Sequence, residues 1–513
     1  MSLFCSASSS AAYSRSGAVD NSAGRQPARS LPFISVLLGS LLMAGCASMA
    51  PDYRRPDAPV PDKLATDPVY ALNDSANALA ASELPWQQFI KDARLQQVIE
   101  LALANNRDLR STLADVEAAR ATYRVQSASQ YPTVSAGISG SRSSTDGSVS
   151  SSWQATGGLS SYEIDLFGKN RDATSVELES FLSTAETARA AQISLIAETA
   201  NAWLTLASDQ NLLVLAQETA ANAEKAMEIT SKRKQLGVDS AVDLVSAQTT
   251  YHQARADIAS YQNQVAQDKN ALWLLAGHSL DDSLLPNELP TTAQLVADIP
   301  VGLSSDVLLQ RPDVLAAEHD LKSANANIGV ARSAYFPSLT LTATGGLAST
   351  ALSNLFTGGA STIWTLAPSL TVDIFDWGSN NAQLDYAKAS QQKMLATYEY
   401  TIQTAFQEVA DALARRGTIQ QQLAAENDYV DAAARSYELT FKRYKAGVDS
   451  FQDALTSQRT LYSARQGLIS SQLEELSNRI TLYRVLGGGL AEQSGGADGS
   501  SAGQDAGETP ALP

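Results

Sequence analysis

Lys232-Arg233-Lys234-Gln235-Leu236-Gly237-Val238-Asp239-Ser240 returns, 210 positions later, as Lys442-Arg443-Tyr444-Lys445-Ala446-Gly447-Val448-Asp449-Ser450. The match reaches past this motif. At the same offset Asp243 meets Asp453, Gln248 meets Gln458, Arg255 meets Arg465, Leu272 meets Leu482 and Gly277 meets Gly487. Upstream the offset falls to 205, pairing Asp108 with Asp313, Ala119 with Ala324, Val125 with Val330 and Pro132 with Pro337. The chain is an internal duplication, so each half repeats the architecture of the other.

Outward from the motif, each half reads in one order: a helix (91–128, then 306–334), two strands, a very long helix, a glycine turn and another helix. In the second long helix Leu395, Tyr398, Ile402, Ala405, Val409, Ala412 and Ile419 recur at steps of mostly three and four, the pattern of a coiled-coil seam. Ile193, Ile196, Ala200, Trp203 and Ala207 do the same in the first. No proline interrupts residues 379–445, which as a helix would reach roughly 100 Å, far beyond a globular core. A solid helical bundle or cytoskeletal coiled coil is the alternative, and the strands count against it.

Val134, Ala136 and Ile138 alternate with small or polar residues after Pro132, as do Leu339, Leu341 and Ala343 after Pro337. Return strands are expected at 153–167 and 363–375, with Ser/Thr/Gly-rich loops at 140–152 and 345–360 between the strands of each pair. Weakly apolar alternation suits an outer-membrane barrel with one face to lipid and one to water. Trp153 and Trp364 would then stand at the membrane boundary, although a soluble sandwich could also bury them. Four strands cannot close such a barrel, whose smallest forms have about eight, so several chains must share one.

At the amino terminus Arg15, Arg25 and Arg29 precede an apolar run at 31–44, ending in Ala44-Gly45-Cys46. The run is too short to cross a bilayer as a helix and reads as a secretory signal. Leu42-Met43-Ala44-Gly45-Cys46 resembles a bacterial lipobox, which implies cleavage before Cys46 and a covalent lipid on it. Cys46 would be the only cysteine of the mature chain, without a disulfide partner. Ala47 follows it where inner-membrane lipoproteins commonly carry Asp, so the resemblance implies the outer membrane. Loss of residues 1–45 removes three basic residues and one acidic one, taking the net charge from −17 to −19 and arguing against nucleic acid as a partner.

A further set of motifs runs along the chain: Pro51-Asp52-Tyr53-Arg54-Arg55-Pro56, Trp86 and Phe89, Asn105-Asn106-Arg107-Asp108-Leu109, Arg311-Pro312-Asp313-Val314, and Ala324-Asn325-Ala326-Asn327-Ile328-Gly329 leading to Phe336-Pro337. Asp373-Ile374-Phe375-Asp376-Trp377-Gly378 follows before the second long helix. In this order they resemble the TolC/OprM-type outer-membrane factors, specifically the lipoprotein branch serving resistance-nodulation-division efflux pumps. The resemblance covers nearly all of the mature chain. It implies a mainly α protein with a transmembrane β-barrel: a homotrimer whose twelve-stranded barrel continues into a twelve-helix periplasmic α-barrel. Partners would be a periplasmic membrane-fusion adaptor, a proton-driven inner-membrane pump and outer-membrane lipid.

The expected organisation is a signal (1–45), an anchor and extended segment (46–90), a first repeat (91–277), an equatorial linker (278–305), a second repeat (306–486) and a disordered Gly/Ala/Ser-rich tail (487–513). The resemblance places the hairpin turns at the periplasmic end. Docking to the adaptor is assigned to Lys232, Arg233, Gly237, Val238, Asp239, Ser240, Lys442, Arg443, Lys445, Gly447, Val448, Asp449 and Ser450. A purely local helix cap also explains the two glycines. Asp453 matches an acidic position that narrows the aperture in the family, and Asp243 is its repeat partner; either could instead merely favour the first turn of its helix. Thr456 stands where the family often has a second acid.

Only three histidines occur, none spaced as a ligand pair, and no phosphate-binding Gly/Lys loop is present. No catalytic residue, metal or cofactor beyond the Cys46 lipid is expected, and energy must come from a partner. The function read here is passive conduction of drugs or small toxic solutes. A metal-ion duct is a weaker alternative because five methionines and no Met- or His-rich cluster give soft metals few ligands. Protein export and a non-conducting structural envelope lipoprotein are the others.

Overall fold

The computed structural model of the chain describes residues 48–61, 84–297 and 305–488; Cys46, the signal and the tail beyond Gly488 lie outside them. Each half contributes helices, two strands, a long helix and a returning helix, in the order the duplication requires. The first comprises α1 (Ala93–Asn105), α2 (Arg107–Ala128), β1 (Val134–Thr145), β2 (Ser148–Ile164), α3 (Lys169–Gln235) and α4 (Ala241–Ala276). The second comprises α5 (Pro312–Ser333), β3 (Ser338–Ser349), β4 (Ser361–Thr371), α6 (Ser379–Lys445) and α7 (Phe451–Val485). Helices α3 and α6 are 67 residues each, roughly 100 Å at 1.5 Å per residue.

Three expectations need correction. The single helix at 91–128 is two, because Asn106 takes an extended backbone (ψ 131°) and its side chain accepts from Leu109 N at 2.9 Å, capping α2. The helix expected at 306–334 opens as a 3-10 turn (Ser305–Gln310), and α5 starts only at Pro312, which holds Arg311 extended. The stretch expected as a loop at 140–152 is mostly strand. β1 and β2 run to a two-residue turn at Asp146 and Gly147, whose φ angles of 50° and 81° fit the hairpin twist. Likewise β3 extends to Ser349, and the return strands end at Ile164 and Thr371, short of residues 167 and 375. Alternating Ser and Gly leave the backbone ladder intact, so polarity alone does not mark a loop.

The four strands form one antiparallel sheet in the order β1-β2-β3-β4. β2 and β3 approach so closely that a Cβ on Gly158 would lie 2.1 Å from the Ala343 carbonyl, and one on Gly346 would lie 2.1 Å from that of Ala155. β1 and β4 are each paired on one side only and are exposed along nearly their whole length. Two long unpaired edges invite pairing with another chain. Trp153 is half-buried over Gly140, whereas Trp364 is 77% exposed. No helix among the described residues is long and apolar enough to cross a membrane.

The seams lie inside, as their spacing demands. Ile193, Ile196, Ala200, Trp203 and Ala207 of α3 are buried, as are Tyr398, Ile402, Ala405, Val409, Ala412 and Ile419 of α6; Leu395 is partly buried against the same core. Phe89 stacks on Tyr483 at 4.1 Å, and the Trp203 indole N–H donates to Leu284 O at 3.0 Å. Burying each such large side chain contributes about 2 kcal/mol. A smaller apolar cluster, including Ala226, Ala247, Tyr444, Phe451 and Leu455, lies near the hairpin turns.

Residues 49–55 lie along α5. Ser48 Oγ donates to the buried Asp172 carboxylate at 2.5 Å, Arg332 donates to Met49 O at 3.0 Å and Asn325 to Pro51 O at 2.7 Å. Arg55 pairs with buried Glu318. Burial works to raise the Glu318 pKa, but hydrogen bonds from Arg55 and Lys322 outweigh it and hold the carboxyl below its usual range.

Candidate functional site: the two hairpin turns

Both long helices end the same way, and the sequence explains why. Gly237 (φ 73°) and Gly447 (φ 78°) adopt the left-handed backbone that lets the chain double back onto the last carbonyls. Val238 N donates to Arg233 O at 2.9 Å, and Val448 N to Arg443 O at 2.9 Å. Ser240 and Ser450 then take extended backbones and cap α4 and α7. Ser240 Oγ accepts from Asp243 N at 3.1 Å, while the Asp243 carboxylate accepts from Ser240 N at 2.9 Å. In the second turn Ser450 Oγ accepts from Asp453 N at 3.3 Å and donates to its carboxylate at 2.7 Å. Both aspartates thus do serve their own helix starts.

The turns differ in what surrounds them. Arg233 Nε donates to Asp239 at 3.0 Å, and its guanidinium lies 4.7 Å from the centre of the Tyr444 ring. The Tyr444 hydroxyl donates to Asp239 and lies 3.0 Å from Thr230 Oγ1, tying the second hairpin to the first. Burial, then the hydrogen bond to Asp239, push the Tyr444 phenol up to about 12. Arg443 and Asp449 repeat the ion pair at 2.6 Å, but the Arg443 side chain is 58% exposed against 21% for Arg233. Asp449 is held below its usual range chiefly by its hydrogen bond from Arg443.

Of the other expected docking residues, Lys232, Lys442 and Lys445 are exposed, with Lys442 paired to Glu438 and the Lys445 ammonium 4.5 Å from the Phe441 ring centre. Val238 and Val448 are more than 60% exposed. Each tip thus presents an exposed valine flanked by cations.

Sequence reading missed Tyr444 as a link between the turns. The signal was available as a departure from the repeat, since Lys234 occupies the matching position. It also missed three polar contacts between α4 and α7: Arg459 to Thr250 at 3.5 Å, Tyr462 to Asp257 at 3.0 Å and Gln466 to Tyr261 at 2.9 Å. The first two border a cleft of about 350 Å³ that includes Thr250, Gln253, Asp257, Arg459 and Tyr462. No group of three or more His, Cys, Asp or Glu among the described residues could hold a metal ion.

The family described as "Outer membrane efflux protein" matches residues 98–278 and 303–488, one segment in each half. The probable efflux pump outer membrane protein TtgC of Pseudomonas putida is 43% identical over 473 residues, covering 91% of this chain and 97% of that protein. The solvent efflux pump outer membrane protein SrpC of Pseudomonas putida is 39% identical over 467 residues, covering 90% and 99%. The open state of the MtrE outer membrane channel of Neisseria gonorrhoeae superposes with a TM-score of 0.78 at 36% identity, covering 86% of this chain and 99% of that one. A membrane protein from Pseudomonas aeruginosa gives 0.80 at 37%, covering 86% and 100%. Sequence, fold and the duplicated plan agree: the chain belongs to the outer membrane efflux protein family, the channels that carry efflux across the outer membrane.

Proposed function

We propose that three copies of this chain close one barrel and one helical tube, through which drugs, solvents or other small toxic solutes leave passively. The observation that carries this reading is the four-stranded sheet with both edges unpaired, continuous in each half with a 67-residue helix. Three such sheets supply twelve strands, enough for closure without an exposed edge. Solvent and antibiotic efflux in the names of relatives supports small solutes as cargo. The reading needs no catalytic group or cofactor; an inner-membrane pump supplies energy, and the turns at Gly237 and Gly447 meet its periplasmic adaptor. A lipid on Cys46 anchors the mature chain, and its loss in Cys46→Ser would show as the missing acyl mass.

In this assembly Asp243 and Asp453 ring the periplasmic aperture, where a set of aspartates around one axis attracts cations. Thr456 leaves that ring weaker than one with a second acid. Single-channel conductance of the purified trimer, beside Asp453→Ala and Asp243→Ala/Asp453→Ala, tests both parts. Larger currents in the variants support duct and acidic ring together. Unchanged small currents keep the duct and remove the ring, and an inserted trimer without any current refutes conduction.

A further inference from the structure

We propose that Asp209 and Asp268 form a proton-operated latch inside the first helical hairpin, making the channel sensitive to periplasmic pH. Asp268, on α4, is only 8% exposed. Its Oδ1 accepts from Gln264 at 3.1 Å, but its Oδ2 is buried and receives no hydrogen bond from any N–H or neutral hydroxyl group of the described residues. Asp209, partly buried on α3, stands 28 residues before Gly237, and Asp268 stands 28 residues after Ser240 on α4, so the antiparallel hairpin sets the two at one level and brings their carboxyl groups together. A bare oxygen facing a second carboxyl is satisfied by one shared proton, and such charge-assisted bonds are strong.

The surroundings keep that proton in place. Leu206, one turn before Asp209, and Leu272, one turn beyond Asp268, belong to the main apolar core. Among the described residues, cations on the elements packed against this hairpin are engaged elsewhere: Lys269 with Asp282, Arg94 with Asp92, and on α7 Arg465 with Glu218 and Arg479 with Glu475. Burial first, then the contact with Asp268, push the Asp209 carboxyl up to about 7. The folded value lies above the unfolded one, so the stabilisation is complete below about pH 4 and is lost as pH rises through about 7. Above that window two like charges face each other across the hairpin, and the packing of α3 on α4 loosens at that level.

The two matching positions of the second hairpin carry no carboxyl group. Ile419 and Asn478 occupy the matching positions; Ile419 is buried, and Asn478 donates to Ala412 O at 3.0 Å. The latch belongs to the hairpin ending at Gly237 and so acts on one of the two turns in each protomer.

Asp209→Asn places a permanent donor where the shared proton sits, and Asp268→Asn serves as a second variant should the first fail to fold. Hydrogen exchange at residues 203–212 and 262–272 of the purified full-length protein, corrected for intrinsic rates, is compared at pH 6 and pH 8. The wild type should lose protection by roughly tenfold between these values, and the Asn variant should not. Open-channel fraction in planar bilayers should follow the same pattern; this arm rests on the conduction reading. An equal pH response in wild type and variants overturns the latch. A response that follows EDTA or added calcium in place of pH overturns it too, in favour of a bound cation. If no currents are seen, conduction is refuted and the exchange data alone decide the latch.

Discussion

The turns at Gly237 and Gly447 carry the same pattern of residues but unequal burial: the Asp239 side chain is 6% exposed and that of Asp449 is 21%. Each turn makes its own glycine reversal, serine cap and Arg–Asp pair from local sequence alone. The difference comes from outside the motif. Tyr444, with Phe441 and Phe451 beside it, leans from the second hairpin onto the first, where Ser231, Lys234 and Ala241 hold the corresponding places. Duplication therefore conserves local geometry while a few divergent side chains decide which copy becomes a buried contact.

The strongest way to break this comparison is to remove the two acids separately. Asp239→Ala removes the carboxylate partner of the Arg233 guanidinium and leaves the Tyr444 hydroxyl only Thr230, and should cost roughly 3 kcal/mol in chemical unfolding of the helical tip. Asp449→Ala should cost far less, and 1 M salt in the wild type should reproduce most of its effect, because its pair is open to water. Equal losses would mean that the two turns are equally buried.

Tyr444→Phe keeps the ring and deletes the hydroxyl link to Asp239 and Thr230, for an expected loss of about 1.5 kcal/mol. If the hydroxyl ties the hairpins, hydrogen-exchange protection should fall in both turns and not only in the second. Gly237→Val and Gly447→Val sharpen the opposite side of the comparison. A Cβ meets nothing within 4 Å at either position, so each variant should lose only backbone strain, about 1–2 kcal/mol, and by the same amount.

The smallest effect is alkaline. Because the folded Tyr444 phenol titrates at about 12 and its ordinary value is 10.0, its contribution is intact below pH 10 and is lost as pH rises from 10 towards 12. Circular dichroism across that range should show a steeper loss of stability in the wild type than in Tyr444→Phe.

Much of the architecture was legible because it is periodic. Ile193 to Ala207 and Tyr398 to Ile419 announce buried helical faces, and a repeat at fixed offset announces two copies of one plan. The breaks at Asn106 and Arg311 carry local signals, a capping asparagine and Pro312, but the apolar periodicity on either side runs on as if each region were one helix. The Ser-rich strand ends read as loops because composition carries little information about backbone pairing. Of the site, the glycines, serines and acids of the turns stood out by repetition. The Asp209–Asp268 contact did not, because 59 residues of chain separate partners that only the hairpin brings together.

Sequence by itself determined the duplication, the long seams, the glycine-closed turns and the need for more than four strands, all of which follow from local backbone preference and the spacing of apolar side chains. Tertiary structure decided which Arg–Asp pair is buried, which tyrosine bridges the hairpins and which aspartates meet across a hairpin. Those properties depend on distance and solvent exclusion between segments far apart in the chain, and a linear pattern encodes neither.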